Sequence, residues 1–304
     1  MAKVRAFFKS ITTALLVAAT QVTLRAAPVY DFVDLGTLGG SMSMAYGIND
    51  HGQIVGASTL ADGTQRAFSY LPGNGMTDIG TLGGATSIAY DVNNLGQITG
   101  AADTSFSSSN PSVYPRSSEA FLYSNGVMTG LGGLEFTTSG SGNQTYQFNS
   151  VGRAINNLGQ VAGQGRYDDL MGTSGTRALL FQNGSVQALS LPTGTLTLTF
   201  GDGVGINDGG AVVGSSVNQP FLYDGSIMSS LTSLQTASMS YLSVSDINQS
   251  GMMVGTVLVN SLPQAFTYHN GQLEILPSPM VLSIASAYSL NDVGQVVGNE
   301  FLWD

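Results

Sequence analysis

The segment "GINDHGQIVG", residues 47–56, is the main evidence for the fold, because near-copies of it recur five more times along the chain. The copies are "DVNNLGQITG", "AINNLGQVAG", "GINDGGAVVG", "DINQSGMMVG" and "SLNDVGQVVG". Self-similarity of this kind is the signature of a repeat architecture, so we expect six copies of one structural unit. Each copy contains an asparagine that is followed three residues later by a glycine, and these asparagines are Asn49, Asn93, Asn156, Asn207, Asn248 and Asn291.

The unit itself is predicted to be a pair of β-hairpins. An Asn-x-x-Gly segment between two short apolar runs is typical of a tight hairpin whose glycine adopts a positive φ. A second hairpin follows in most copies, indicated by "SNG", "QNG" and "HNG". Four antiparallel strands repeated six times predict an all-β fold, a six-bladed β-propeller. A parallel β-helix fits less well, because its rungs do not contain two tight hairpins each.

The two ends of the repeat array predict how the ring of blades closes. The segment "PVYDFVDLGTLGG", which begins at residue 28, matches "GMTDIGTLGG", the fourth strand and exit loop of the first unit. The sixth copy ends with "NEFLWD", which we interpret as its third strand. The N-terminal strand is therefore expected to complete the last blade and to remove an open sheet edge. A single propeller domain over residues 28–304 follows from this.

The first 27 residues are typical of a secretory signal peptide. Lys3, Arg5 and Lys9 precede a short apolar run, and the small residues Ala26 and Ala27 follow it. The run is shorter than the roughly 20 residues that a membrane span needs, and no later stretch could span a membrane. We expect a secreted, extracellular protein, with the periplasm as the other possible destination.

Composition excludes several function classes. Removal of residues 1–27 leaves 5 basic residues, all arginine, against 19 acidic residues, a net charge of −14. Nucleic acid and anionic membranes are poor partners for such a surface, and a lysine Schiff base is impossible. The chain has no cysteine and only His51 and His269, which excludes thiol catalysis and a multi-histidine metal site. We expect no cofactor, no bound metal and a monomer.

The segments "AYGINDHGQIVG", "RAFSYLPGNGMTDIGTLGG" and "FLWD" resemble the bacterial extracellular repeat family called HAF. The resemblance covers nearly all of residues 28–304 and implies an exported repeat protein, without implying an activity. The family is named after a His-Ala-Phe motif. In this chain the histidine column holds other residues, which removes any role tied to that histidine; they are Arg66, Glu119, Arg177, Gln219, Gln264 and Asn299.

Residues that recur in every copy are predicted to be structural. The repeated asparagines could suggest a calcium loop, but copies two and three read "NNLG" and offer no carboxylate, so we interpret them as turn residues. The recurring aromatic residues are expected to pack between blades, and these are Phe68, Tyr70, Phe121, Tyr123, Phe181, Phe221, Tyr223, Phe266 and Tyr268.

Three insertions depart from the repeat, at residues 101–118, 134–150 and 164–176, and all fall at the same end of their units. Loops on a rigid scaffold commonly carry binding, and Tyr and Arg are frequent anchors of recognition surfaces. A Ser- and Gly-rich insertion that merely varies in length is the alternative. The candidate ligand-binding residues of this end are Tyr114, Arg116, Tyr146, Arg166, Tyr167, Asp168 and Asp169.

A second candidate set lies on the innermost strands. Asp91 and Asp246 each stand two residues before the repeated asparagine, and in a six-fold ring their blades face each other across the axis. Arg153 belongs to the blade beside that of Asp91. Two carboxylates and an arginine near an axial channel could bind a cation or a polar ligand. The alternative is a solvated channel lining with an Asp–Arg pair.

Two functional hypotheses remain open. The first is a secreted, non-catalytic binding or structural module whose partner is a glycan or another exported protein. The second is an extracellular enzyme acting on polysaccharide, a lyase or glycoside hydrolase, with Asp168 or Asp169 and Asp91 as its two carboxylates. A Ser/His/Asp triad is disfavoured, because both histidines lie in tight turns at the end opposite the insertions.

Overall fold

A computed structural model describes residues 6–7, 33–105, 118–137, 145–147, 149–168, 174–189, 201–216, 219–236, 238–277 and 283–302. These residues form an all-β structure in which five four-stranded antiparallel sheets follow one another along the chain. Each of the five is a meander, so that consecutive strands are neighbours. The repeat unit predicted from the sequence is therefore confirmed as a four-stranded antiparallel sheet in five of its six copies.

We number the sheets 1 to 6 after the copies of the repeat. Sheet 1 contains β2 to β5, sheet 2 contains β6 to β9, sheet 3 contains β12 to β15, sheet 4 contains β16 to β19 and sheet 5 contains β20 to β23. Sheet 6 has the order β1-β25-β24, and β10 and β11 form a separate hairpin between sheets 2 and 3. The strands are β1 (Ala6–Phe7), β2 (Gly39–Ile48), β3 (Ile54–Leu60), β4 (Gln65–Leu71), β5 (Gly75–Asp78), β6 (Gly83–Val92), β7 (Ile98–Thr104), β8 (Ser118–Ser124), β9 (Val127–Gly132), β10 (Glu135–Thr137), β11 (Thr145–Gln147), β12 (Ser150–Ile155), β13 (Val161–Asp168), β14 (Ser174–Gln182), β15 (Ser185–Ala188), β16 (Gly201–Ile206), β17 (Val212–Ser216), β18 (Gln219–Tyr223), β19 (Met228–Ser230), β20 (Met239–Ile247), β21 (Met253–Val259), β22 (Leu262–His269), β23 (Gln272–Ile275), β24 (Ser283–Leu290) and β25 (Val296–Leu302), with a 3-10 helix at Thr232–Leu234.

The repeated asparagine closes the turn between the first two strands of every sheet. In sheet 3 the N–H of Gly159 donates to the carbonyl of Asn156 at 3.1 Å, and the glycine has a φ of 75°. The Asn156 side-chain oxygen accepts the N–H groups of Leu158 and Gln160. An L-residue with a side chain rarely adopts that φ, which explains the glycine. The predicted turn chemistry is confirmed.

A β-bulge occurs at the same place in the first strand of all six sheets, three residues before the asparagine. The facing strand carries a glycine there. A Cβ atom at Gly163 would lie 1.9 Å from the carbonyl oxygen of Val151, and five equivalent glycines meet the same obstruction. The bulge therefore requires a glycine on the facing strand, and the two features occur together in every sheet. The bulged residues are Tyr46, Tyr90, Arg153, Val204, Ser245 and Tyr288.

The core consists of the faces that successive sheets turn toward each other. Phe68 and Phe121, from the third strands of sheets 1 and 2, are fully buried, as are their counterparts Phe221 and Phe266. Val55 of sheet 1 packs in one cluster with Ala89 and Val92 of sheet 2, and the later sheets repeat this contact. The predicted packing role of the repeated phenylalanines is thus confirmed.

The last copy differs from the sequence interpretation. Val296–Leu302 is one continuous strand that pairs with β24 along its whole length, so "NEFLWD" does not supply a separate third strand over residues 299–302. No glycine or proline interrupts the chain between Gly298 and Leu302, and the strand simply extends. At the N-terminus, residues 28–32 lie outside the described residues and residues 33–38 form no strand. Within the described residues, the free edge of β25 pairs with Ala6–Phe7.

The insertions are also shorter than the sequence suggested. Residues 161–168 and 174–182 form the hairpin strands β13 and β14, paired from Val161–Phe181 to Asp168–Ser174. Most of residues 164–176 is therefore strand, because alternating small and polar residues extend the pairing. Residues 135–137 and 145–147 form the hairpin of β10 and β11.

Candidate functional site

Two ladders of hydrogen bonds join the six sheets at their Asn turns. In the first ladder, the side-chain amide of each asparagine donates to the backbone carbonyl of the next. Asn93 Nδ2 donates to the Asn156 carbonyl at 2.8 Å, and Asn156 Nδ2 donates to the Asn207 carbonyl at 2.9 Å. The ladder runs from Asn49 to Asn291. The side chains of the repeated asparagines thus make hydrogen bonds within their turns and to the next sheet.

The second ladder uses the residue after each asparagine. Asn157 N–H donates to Asp208 Oδ1 at 2.7 Å, and Asp208 N–H donates to Gln249 Oε1 at 2.8 Å. Gln249 N–H donates in turn to Asp292 Oδ1 at 2.9 Å. Between sheets 1 and 2, the Asp50 N–H donates to Asn94 Oδ1 at 3.0 Å in the same way. Five successive sheet junctions therefore share one pattern.

Asp91 and Asp246 bridge adjacent sheets in the same manner as each other. Asp91 Oδ2 accepts the Ile155 N–H at 2.8 Å, and Asp246 Oδ2 accepts the Leu290 N–H at 3.1 Å. Ser289 Oγ also donates to Asp246 at 2.6 Å. Both predicted ligand residues are thus engaged in structural contacts with the following sheet, which the sequence did not reveal.

The surroundings of these carboxyl groups disfavour their charge. Burial away from water raises the pKa of Asp91 to about 7, the backbone N–H groups of Ile155 and Val92 oppose that rise, and the charge of Asp246 adds to it. Burial likewise raises the pKa of Asp246. Hydrogen bonds from Ser289 and Leu290 oppose the rise at Asp246, and the charge of Asp292 adds to it.

Arg153 pairs with a residue that the sequence interpretation did not select. Its Nε lies 3.2 Å from Asp202 Oδ2 of sheet 4, and its guanidinium lies 4.7 Å from the ring centroid of Tyr90. Burial raises the pKa of Asp202, and the positive charge of Arg153 opposes the rise. Tyr46 continues the row, with its ring centroid 5.5 Å from that of Tyr90. The expected Asp–Arg pair exists, but its acid is Asp202 instead of Asp91.

A cleft with a volume of about 380 Å³ lies at the end of sheet 3 where the insertions begin. The Arg166 N–H donates to the Asn149 carbonyl at 2.8 Å, which ties the second strand to the entry of the first. Thr176 Oγ1 accepts the Gly201 N–H at 3.2 Å and connects the third strand to sheet 4. The lining residues are Asn149, Val151, Gln164, Gly165, Arg166, Gly175 and Thr176.

Of the seven residues predicted at this end, the structure places Arg166 at the cleft, with an exposed side chain. Tyr167 and Asp168 follow it on β13, and Tyr146 lies on β11 opposite Phe136. Tyr114, Arg116 and Asp169 lie outside the described residues.

The described ranges contain no group of three or more His, Asp or Glu side chains that could hold a metal ion. None of their helices is long and apolar enough to cross a membrane.

The fold and the site can be compared with known proteins. No family model matches the chain, and no curated protein matches it. Among solved structures, it is similar to the acylaminoacyl peptidase of Pyrococcus horikoshii, with a TM-score of 0.44 and 10% identity over 86% of this chain. The match spans 43% of the peptidase chain, so this chain covers less than half of that protein.

Proposed function

We propose that the chain is an exported, non-catalytic binding module built on a six-bladed β-propeller. The observation that supports this proposal is that repeated and non-repeated residues have different structural roles. The repeated asparagines and their neighbours serve the junctions between sheets, whereas the cleft beside Arg166 belongs to one sheet alone. A rigid repeated framework that carries a cleft of non-repeated residues at the insertion end is suited to recognition.

Ring closure is part of the proposal and is supported by the two end sheets, because each exposes residues whose counterparts are buried in other sheets. Ile48 of sheet 1 is 66% exposed, whereas its counterpart Val92 in sheet 2 is 4% exposed. Val297 of sheet 6 is 49% exposed, whereas Val254 in sheet 5 is fully buried against sheet 6. We propose that sheet 6 packs on sheet 1 and closes the ring. Pairing of the N-terminal strand with the last sheet stays a prediction.

The proposed partner is a glycan or another exported protein. The cleft combines the Asn149, Gln164 and Thr176 side chains with the cation Arg166, a set that can both donate and accept hydrogen bonds. In a chain with 19 acidic residues and 9 basic residues, a local arginine gives orientation to a polar ligand. Tyr114, Arg116 and Tyr146 stay predicted ligand-binding residues, and the first two lie outside the described residues.

Polysaccharide hydrolysis or lysis is the competing proposal. A hydrolase needs two carboxyl groups placed on either side of the scissile bond. Asp91 is engaged by the N–H groups of Val92 and Ile155, so it is poorly placed to serve as one of the two. The binding function therefore takes precedence.

The test is the thermal unfolding midpoint of the full chain in the presence of a panel of purified bacterial and plant polysaccharides, each with calcium and with a chelator. A ligand that binds only the folded state must raise the midpoint. We expect a rise with one class of polysaccharide and no release of reducing sugar from it. Arg166→Ala should abolish the rise, and Arg177→Ala, an exposed arginine on the same sheet, should keep it.

Release of new reducing ends would replace the binding proposal with the enzymatic one. A rise with calcium alone would indicate a metal site that the described residues do not supply. If no polysaccharide changes the midpoint, the glycan class is wrong, and the cleft then has to be tested with exported proteins.

A further inference from the structure

The β-bulges point to a second site, distinct from the cleft beside Arg166. A bulge turns the extra residue away from the regular alternation of a strand. Because the bulge recurs at one position of the repeat, and the ladders hold the six first strands side by side, the six bulged residues are presented in series. In sheets 1 to 3 these residues are Tyr46, Tyr90 and Arg153.

These side chains form one continuous row across four sheets. The rings of Tyr46 and Tyr90 are 5.5 Å apart and inclined at 49°, and the Arg153 guanidinium lies over Tyr90 at 4.7 Å. Asp202 ends the row with its 3.2 Å contact to Arg153 Nε. Tyr46 is 47% exposed, so one aromatic ring of the row is open to solvent.

Asp202 holds Arg153 in place and balances its charge. Its Oδ2 accepts from Arg153 Nε, and its Oδ1 is buried with no hydrogen-bond partner within the described residues. A carboxylate in such surroundings keeps the arginine as its counter-ion. The row thus presents aromatic surface and guanidinium N–H donors without a net positive charge.

We propose that this row, Tyr46–Tyr90–Arg153 supported by Asp202, binds a neutral saccharide. The apolar face of a sugar ring can pack on the Tyr46 ring, and its hydroxyl oxygens can accept from the Arg153 guanidinium. An anionic sugar is disfavoured because Asp202 already compensates Arg153 and the chain carries a net charge of −10. The proposal rests on the proposed binding function and names a ligand class and a site for it.

Ring closure would add a fifth residue to the row, at its Tyr46 end. Tyr288 is the bulged residue of sheet 6 and is 55% exposed, and packing of sheet 6 on sheet 1 would bring it beside Tyr46. The contacts among Tyr46, Tyr90, Arg153 and Asp202 already exist in sheets 1 to 4 and do not depend on closure.

The test is calorimetric titration of the full chain with cellohexaose and maltohexaose, with hexagalacturonate as the anionic probe. We expect one neutral hexasaccharide to bind. Tyr46→Ala should weaken binding by about fivefold, because an aromatic contact is worth roughly 1 kcal/mol. Tyr46→Phe should keep affinity within about twofold of the parent, since the ring is retained. Tyr241→Ala removes another exposed tyrosine, 52% accessible, and should leave binding unchanged.

Asp202→Asn separates charge compensation from packing. It keeps the shape of the side chain and leaves the Arg153 charge uncompensated, so we expect hexagalacturonate to gain affinity relative to the neutral sugars. A purely structural Asp202 would lower both affinities together.

Other outcomes overturn the proposal in distinguishable ways. Neutral binding that survives Tyr46→Ala but disappears in Arg166→Ala would move the ligand to the cleft and leave the binding function intact. Preference of the parent chain for hexagalacturonate would refute the neutral class. Absence of binding by all three probes, with a polysaccharide shift still present in the thermal panel, would overturn the row alone, and absence of both would overturn the row together with the glycan class of the proposed partner.

Discussion

At the residue scale, Asp91 joins two sheets by hydrogen bonds although its burial disfavours the charged carboxylate. Its two oxygens accept the N–H groups of Val92 and Ile155, and the second bond joins sheet 2 to sheet 3. At Gly47, the counterpart in sheet 1, a Cβ would make a tight contact of 3.0 Å with the Asp91 Cα. Gly205 stands in the same relation to Asp246. In the sheet that precedes each bridging aspartate, the equivalent position is thus a glycine in close approach to the aspartate backbone.

The pKa of Asp91 gives a signed prediction for stability. Its pKa is about 7 in the folded chain against an ordinary value of 3.8, so between these pH values the folded state keeps a proton that the unfolded state has lost. Stability must therefore fall as pH rises from about 4 to about 7, by at most roughly 4 kcal/mol. The raised pKa values of Asp202 and Asp246 act in the same direction.

We expect Asp91→Asn to flatten this dependence, because an amide does not titrate. The variant loses one of two N–H contacts at every pH, a constant cost of about 1 kcal/mol. The measurement is urea unfolding from pH 4 to pH 8, and the decisive quantity is the slope against pH. The same change at exposed Asp78 is the control for removing one negative charge. A variant slope equal to that of the parent would show that Asp91 titrates normally.

At the element scale, the first two strands of each sheet are coupled by the bulge and the glycine opposite it. The second strand of each sheet carries a glycine at which an added Cβ would lie 1.9 to 2.0 Å from a carbonyl oxygen of the bulged strand. These glycines are Gly56, Gly100, Gly163, Gly214, Gly255 and Gly298. A backbone atom cannot move aside as a side chain can, so alanine should break the pairing.

Gly163→Ala is expected to destabilise the chain by about 3 kcal/mol or more, because the bulge must be expelled from β12. Gly209→Ala is the matched control: its φ lies in the ordinary range and the nearest atom is Asn207 Oδ1 at 3.2 Å. Thermal unfolding monitored by far-UV circular dichroism compares the two. A Gly163→Ala midpoint within 2 °C of the control, against an expected drop of about 6 °C or more, would contradict the coupling.

The sequence predicts this much of an element because local chemistry determines it. The turns follow from Asn and Gly spacing, and the strand count of sheets 1 to 5 follows from the turns. The bulge was not foreseen, although the fixed glycine in "IVG", "ITG" and "VVG" signals a close approach. Asp202 was missed for another reason: its partner Arg153 lies 49 residues away, and only the packing of sheet 3 on sheet 4 brings them together.

At the scale of the whole molecule, the two hydrogen-bond ladders predict which contact would join sheet 6 to sheet 1. Each junction passes a hydrogen bond from one sheet to the next, and within the described residues the series stops at Asn291 and Asp292. At the other end, Asp50 Oδ2 accepts from Asn94 Nδ2 at 2.6 Å. If sheet 6 meets sheet 1 as the others meet, Asp292 N–H will donate to Asp50 Oδ1.

A disulfide between these two positions tests closure, and the chain has no cysteine to interfere. Asp50→Cys with Asp292→Cys should oxidise to an intramolecular bond in dilute solution, because a closed ring brings the two turns together. Asp50→Cys with Asn94→Cys, across an existing junction, is the positive control. Asp50→Cys with Gln249→Cys, which belong to sheets that are not adjacent in the ring, is the negative control. Mobility without reductant and peptide mass spectrometry give the readout.

The three double-cysteine variants distinguish a closed ring, a dimer and an open array, because a disulfide forms only between cysteines that come close together. A monomeric cross-link in the end pair, formed as fast as the positive control, means that sheets 1 and 6 meet within one chain. A cross-linked dimer means that a second copy covers the two exposed faces, which contradicts the expected monomer. No cross-link in the end pair, with the positive control oxidised, means that Ile48 and Val297 stay exposed and that the six sheets form an open array. Because every junction from sheet 1 to sheet 6 already carries the same contacts, the monomeric cross-link is the expected result.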